Sequence, residues 1–183
     1  MRKWLCFSAI LFVMGGVYTA AIASDISVGV IGGLNIPIAQ DDAGNGSLFG
    51  AKLRIAAISF LAVEPVLTFM QQGDAAAEIG DEEFELDGGK STALGVNLII
   101  GSSGPPDRVG FYGIIGVASH AVKQEGTEDQ NRLAMSVGPG MQIALRNKFA
   151  LDIDARLHMI SLDGGGARKN LGLSGGLVYY LGN

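Results

Sequence analysis

Cysteine and tryptophan are nearly absent from this chain of 183 residues: there is one of each, Cys6 and Trp4, both within the first two dozen positions. Without that stretch the chain can form no disulfide and offers no thiol nucleophile or thiolate metal site. Basic residues are also in short supply, 13 Lys and Arg against 18 Asp and Glu, for a formal net charge of −5. A nucleic-acid partner calls for a cationic face that displaces counterions, so that class is excluded. No segment carries an apolar stripe at helical spacing. After the opening residues, none approaches the roughly 20 consecutive apolar residues of a helical membrane span. A membrane form of this protein must therefore cross as a closed barrel, the other structure that satisfies every backbone N–H and C=O in hydrocarbon.

The opening MRKWLCFSAILFVMGGVYTAAIAS sets Arg2 and Lys3 before an apolar stretch from Trp4 to Val17, and Ala21-Ile22-Ala23 supplies small residues at the third and first positions before a cut. This is the layout of a secretory signal peptide. It predicts residues 1–23 as a cleaved leader and 24–183 as one domain. With Arg2 and Lys3 gone, 11 basic side chains face the same 18 acids, a formal charge of −7. A mature chain of about 160 residues can bury a full core, and no Pro/Ser-rich linker or low-complexity tract divides it.

Glycine is what the chain has in quantity, 28 residues. In helices each would cost about 1 kcal/mol relative to alanine, whereas in strands glycine permits the bends and close approaches of a small barrel. Apolar residues alternating with polar or small ones predict eight strands, at about 25–35, 47–59, 61–72, 90–101, 108–122, 131–146, 149–162 and 168–181. The Gly89-Lys90-Ser91-Thr92 stretch resembles the end of a phosphate-binding loop. However, Phe84 stands where the first glycine of such a loop belongs, and Thr92, Leu94, Val96, Leu98 and Ile100 then alternate at a period of two, so the motif opens a strand. Connections after the second, fourth and sixth strands are short (around Phe60, SSGPPD and Asn147). Those after the first, third and fifth are longer and polar, and DGGGA at 163–167 is short as well. Tight turns at one end and longer loops at the other belong to an up-and-down barrel.

The segment 149–162 is the most informative. Phe149, Leu151, Ile153, Ala155, Leu157 and Met159 fall on one face, and Asp152, Asp154, Arg156 and His158 on the other. The same parity sets Lys52, Arg54, Glu64, Thr68, Asn97, Arg132 and Gln142 opposite a large apolar set that includes Phe49, Leu53, Leu67, Leu94, Leu133, Val137, Leu173 and Tyr179. Eight strands enclose a lumen filled by side chains, so acids and bases inside it must pair. The expected lumen group is Lys52, Arg54, Glu64, Arg132, Asp152, Asp154, Arg156 and His158. Phe60, Phe111, Phe149, Tyr179 and Tyr180 gather near one end and predict an interfacial aromatic girdle, with Phe49 and Phe69 as candidates at the other end.

With "DISVGVIGGLNIP", "FLAVEPVLTF", "VGFYGIIGVASH", "SVGPGMQIAL", "FALDIDARLHM" and "LGLSGGLVYYLG" in view, residues 25–181 resemble the small outer-membrane β-barrel proteins of Gram-negative bacteria, the OmpA-like and OmpX-like group often called the porin family. The resemblance implies an all-β, eight-stranded antiparallel up-and-down transmembrane barrel in the cell outer membrane, non-enzymatic and without cofactor. It implies contact with outer-membrane lipid and lipopolysaccharide, delivery by periplasmic chaperones and the barrel assembly machinery, a monomeric state, and a role in envelope integrity or adhesion through external loops. Members of the group typically end on an aromatic residue, whereas this chain ends Leu181-Gly182-Asn183.

Other chemistries find little support. "RLHMISLDGGGARKNLGLS" is faintly similar to the C-terminal region of outer-membrane lipid A deacylases, but Ser161 lies three residues from His158, on the opposite face of a strand, and no glutamate follows Glu128. His120 has no second histidine at zinc spacing and is expected to be a solvated or girdle residue. In Asp41–Gly46, Ala43 replaces a calcium ligand and Lys52 stands where a bidentate glutamate is required, which leaves turn chemistry. The acids from Asp74 to Asp87 read as a solvated loop, and the alternation of Phe84 and Leu86 with Glu83, Glu85 and Asp87 suggests a protruding ribbon open to strand addition. The rival readings are a narrow solute channel and a soluble barrel binding a small apolar ligand.

Overall fold

A computed structural model describes residues 25–38, 44–71, 73, 75–79, 82–86, 90–123, 130–146, 148–161 and 166–181. Every described element is a strand: β1 (Ile26–Ile38), β2 (Gly46–Ile58), β3 (Leu61–Gln71), β4 (Ala75–Ile79), β5 (Glu82–Leu86), β6 (Lys90–Gly101), β7 (Val109–Lys123), β8 (Gln130–Arg146), β9 (Phe149–Ser161) and β10 (Ala167–Tyr180). Eight of them close into an antiparallel barrel in the order β1-β10-β9-β8-β7-β6-β3-β2, and β4 pairs with β5 as a separate two-stranded sheet. The eight barrel strands lie where the alternation predicts them. The ribbon expected in the third connection is present as this separate sheet, joined Ala77 to Phe84, instead of a continuation of β3 and β6. The leader over 1–23, the loop residues Asp41 to Ala43, and Asp74, Asp81 and Asp87 lie outside the described residues.

The register sets the barrel's geometry. The hydrogen-bonded row that starts at Arg132 passes through His120, Ala93, Thr68, Gly50, Ile31, Gly176 and Asp152 and returns to β8 at Gln142, ten residues along. Closure with such a stagger tilts the strands steeply and leaves no unpaired edge. The start of β1 and the end of β10 share one end with the turn at Ser59-Phe60 and the connection from Ser102 to Arg108; the last residues of β1, β3, β7 and β9 lie at the other, called here the outer end.

Alternation of side chains across each strand then builds two surfaces. Outward positions are apolar all round: Val30, Phe49, Leu94, Ile115, Val117, Leu133, Met135 and Leu177 are each exposed, and Phe111 is 70% exposed. On β9, Leu151, Ile153 and Leu157 point outward while Asp152, Asp154 and Arg156 are buried inside. Glycine makes the filled interior possible. Gly140 lies under the Tyr112 ring and Gly116 against the Asn97 amide, and a Cβ at either position would collide with that side chain. Gly101, at φ +128°, ends β6 and donates its N–H to the Phe60 carbonyl at 2.9 Å.

Candidate functional site

The lumen is layered. Nearest the start of β1, Ala56, Ala62, Ile99, Tyr112 and Ile114 form a buried cluster, with Ala150, Val178 and Tyr180 as a second one beside it. The connection after β6 closes this end: Ser103 is buried and its Oγ donates to the Ile58 carbonyl at 2.7 Å.

Above this floor lies the ionised layer, six side chains carried on β2, β3 and β9. Glu64, fully buried, is its centre. Arg54 Nε donates to Glu64 Oε2 at 2.8 Å, and Asn97 Nδ2 donates to Oε1 at 3.0 Å. Arg54 Nη2 also stands 2.6 Å from Oε2, at an angle that makes it an ion contact and not an aligned hydrogen bond. Lys52 Nζ lies 3.1 Å from Asp152 Oδ1 and 3.9 Å from both Glu64 and Asp154. Arg156 grips Asp154 with two donors, Nε and Nη2, each at 2.8 Å, and reaches toward Glu64 at 3.6 Å.

Neutral groups complete the layer. The Tyr112 hydroxyl donates to Asp152 Oδ1 in a short hydrogen bond, Gln142 Nε2 donates to Oδ2 at 2.9 Å, and Ser174 Oγ donates to Asp154 Oδ1 at 2.8 Å. The Arg54 guanidinium sits 4.6 Å from the centre of the Tyr112 ring, a cation–π contact. Three bases therefore meet three acids, and each carboxylate accepts hydrogen bonds, the condition for keeping ions away from water.

Of the eight side chains expected in the lumen group, Lys52, Arg54, Glu64, Asp152, Asp154 and Arg156 come together in this layer. Arg132 and His158 do not join it. Both are lumenal, but β8 and β9 carry them toward the outer end; His158 lies level with a third apolar cluster, of Ile31, Leu48, Val66 and Met70, and shares cavity walls with it. Tyr112 was not anticipated, although parity with outward Phe111 places it inward.

Two further expectations are corrected. His120 is neither solvated nor in a girdle. It is 1% exposed and faces the lumen, because nine residues from Phe111 is an odd count and reverses the face. Tyr180 does not belong with the aromatics outside. It is buried, its hydroxyl 2.7 Å from Gln142 Oε1 and 3.0 Å from the Gly104 carbonyl, since two adjacent strand residues cannot share a face. Phe60, Phe111 and Phe149 are exposed at the end that holds the start of β1, where Phe149 packs on Tyr179 at 5.0 Å. Phe49 stacks on Phe69 at 5.1 Å toward the outer end. His158 faces the lumen and Ser161 is exposed outside, so the two do not meet.

No family model matches the chain, and no curated protein is significantly similar to it. Solved structures do match its fold. Neisserial surface protein A superposes with a TM-score of 0.64 at 14% identity, covering 86% of this chain and 98% of that one. The outer membrane protein OprG from Pseudomonas aeruginosa gives 0.60 at 13%, covering 88% and 97%. A major outer membrane protein from Thermus thermophilus gives 0.55 at 15%, covering 87% and 100%. The architecture is thus that of the small eight-stranded outer-membrane barrels.

Proposed function

We infer that this chain, built on the fold of the small outer-membrane barrels, is exported with loss of residues 1–23 and resides in the cell outer membrane as a non-enzymatic barrel. Its lumen is closed by paired charges, and its role in envelope integrity or surface interaction falls to the external connections. One observation carries this reading: the outward wall is apolar around the whole circumference, while the ions of β2, β3 and β9 are enclosed. In water that distribution would be inverted, because exposing Phe111, Leu133 and Val30 while burying six charges is unfavourable on both counts. In a bilayer it matches the solvent on each side of the wall. The outward Phe60, Phe111, Phe149 and Tyr179 would then sit at the periplasmic interface. The separation of Ser161 from His158 favours a non-enzymatic barrel over a deacylase. Delivery by periplasmic chaperones and the assembly machinery, contact with lipopolysaccharide and a monomeric state are parts of the same proposal.

Fractionation of cells expressing the full chain tests it. The protein is expected in the outer-membrane fraction, shortened at its N-terminus, with unboiled samples migrating differently from boiled ones in detergent gels. Recovery from the soluble periplasm, with identical mobility before and after boiling, would refute the assignment.

A further inference from the structure

Two small cavities lie inside the outer half of the barrel, independent of where the protein resides. The larger, about 30 Å³, has Thr68, Asn97, His120, Ser136, Arg156 and His158 as its polar lining. The smaller, about 20 Å³, lies on the other side of Arg156 and His158, against Asp154 and Ser174. The closed charge layer below does not account for them. His120 is 1% exposed and its Nδ1 has no hydrogen-bond partner. A buried ring nitrogen left in that state costs about 1–3 kcal/mol, so an occupant of the cavity is favoured.

The lining selects the occupant. Asn97 and Arg156 already donate to Glu64 and Asp154, which leaves the hydroxyls of Thr68 and Ser136 and the two imidazoles as the groups that can turn to a guest. No carboxylate among the described residues lines the larger cavity, and the Arg156 guanidinium does; a cation there would lack anionic ligands and be repelled. A single water occupies about 10–15 Å³ on the same measure, so the space suits one or two waters or one halide ion and is too small for phosphate or sulfate.

The charged and titratable groups around the two imidazoles are Asp154 and Arg156 on β9, Arg132 on β8 and Arg168 on β10, with Glu64 on β3 and Lys52 on β2 farther below. Arg132 and Arg168 are engaged with other groups. The described lumenal positions of β1 and β6 carry no charge, and Tyr112 of β7 lies below, bonded to Asp152. Among the described lumenal residues, Arg132 and Arg168 add to the balanced ion layer, so bases outnumber acids around the outer half and a halide beside Arg156 offsets positive charge without a proton. We propose that this cavity binds a small monovalent anion of halide size, held beside Arg156 by the Thr68 and Ser136 hydroxyls and the His120 and His158 rings.

The test uses the folded barrel in detergent micelles. Its unfolding temperature is measured at about pH 5.5 and about pH 8, in chloride, bromide, gluconate and sulfate at matched ionic strength. Chloride and bromide should stabilise relative to gluconate and sulfate at both pH values. Crystals soaked in bromide should show one anomalous peak between His120 and His158. His120→Gln and His158→Gln should each keep heat-modifiable migration and lose the halide dependence. Equal responses to chloride and gluconate, a cavity holding water only in the bromide map, or an undiminished halide effect in both variants would each overturn the proposal.

Discussion

Glu64 gathers Arg54, Lys52, Arg156 and Asn97 on its two oxygens, as many partners as Asp152 draws from Lys52, Arg54, Tyr112 and Gln142. Neutralising it leaves three buried bases against two acids, and removing one partner of a buried ion pair costs about 3–5 kcal/mol. Glu64→Gln is therefore expected to lower stability by that amount in urea unfolding of the barrel in lipid vesicles. Pairing it with Lys52→Met restores the charge balance, so the double variant should be more stable than the sum of the two single losses. Strictly additive losses would show that the ions act separately. At this scale the sequence was legible as to face. Lys52, Arg54, Glu64 and Asp152 are inward because their neighbours Leu53, Ile55, Val63 and Leu151 are not. His120 and Tyr180 face inward although both lie near strand ends, because parity and not nearness to an end sets the face.

Each strand is a ribbon with two chemistries, and the barrel depends on keeping them on their own sides. Ile115, near the middle of β7 and 51% exposed, stands on the outward face, while the adjacent Ile114 is buried in the floor of the lumen. A bilayer charges about 2–4 kcal/mol for an arginine facing lipid at its midplane and far less near its interfaces. Ile115→Arg should lose that much in vesicle unfolding, and Arg placed at Phe60, at the turn between β2 and β3, should lose little. Equal costs at both positions would argue against a lipid-facing wall. The element ends were legible within one to three residues because turn residues interrupt the alternation. The β4–β5 sheet was legible only as a ribbon, since alternation cannot say whether two strands extend an existing sheet or start their own.

Across the whole molecule, the lumen is stopped twice: by the floor around Ile99 and Tyr112 and by the ion layer. A continuous water path would have to breach both. Purified barrel in planar bilayers is expected to give flat current traces, and regular conductance steps at modest voltage would support the narrow-channel alternative.

The sequence by itself determined the number of barrel strands, the face of almost every residue in them and the sign of the charges within, because a period of two depends only on neighbours along the chain. It could not determine height along the barrel axis. That is set by cross-strand register, and the ten-residue stagger brings Arg132 level with the outer mouth while Gln142, on the same strand and the same face, reaches Asp152 near the floor. Tertiary closure alone therefore decided which inward ions meet, and which polar groups, His120 and His158 among them, are left to line the cavities above.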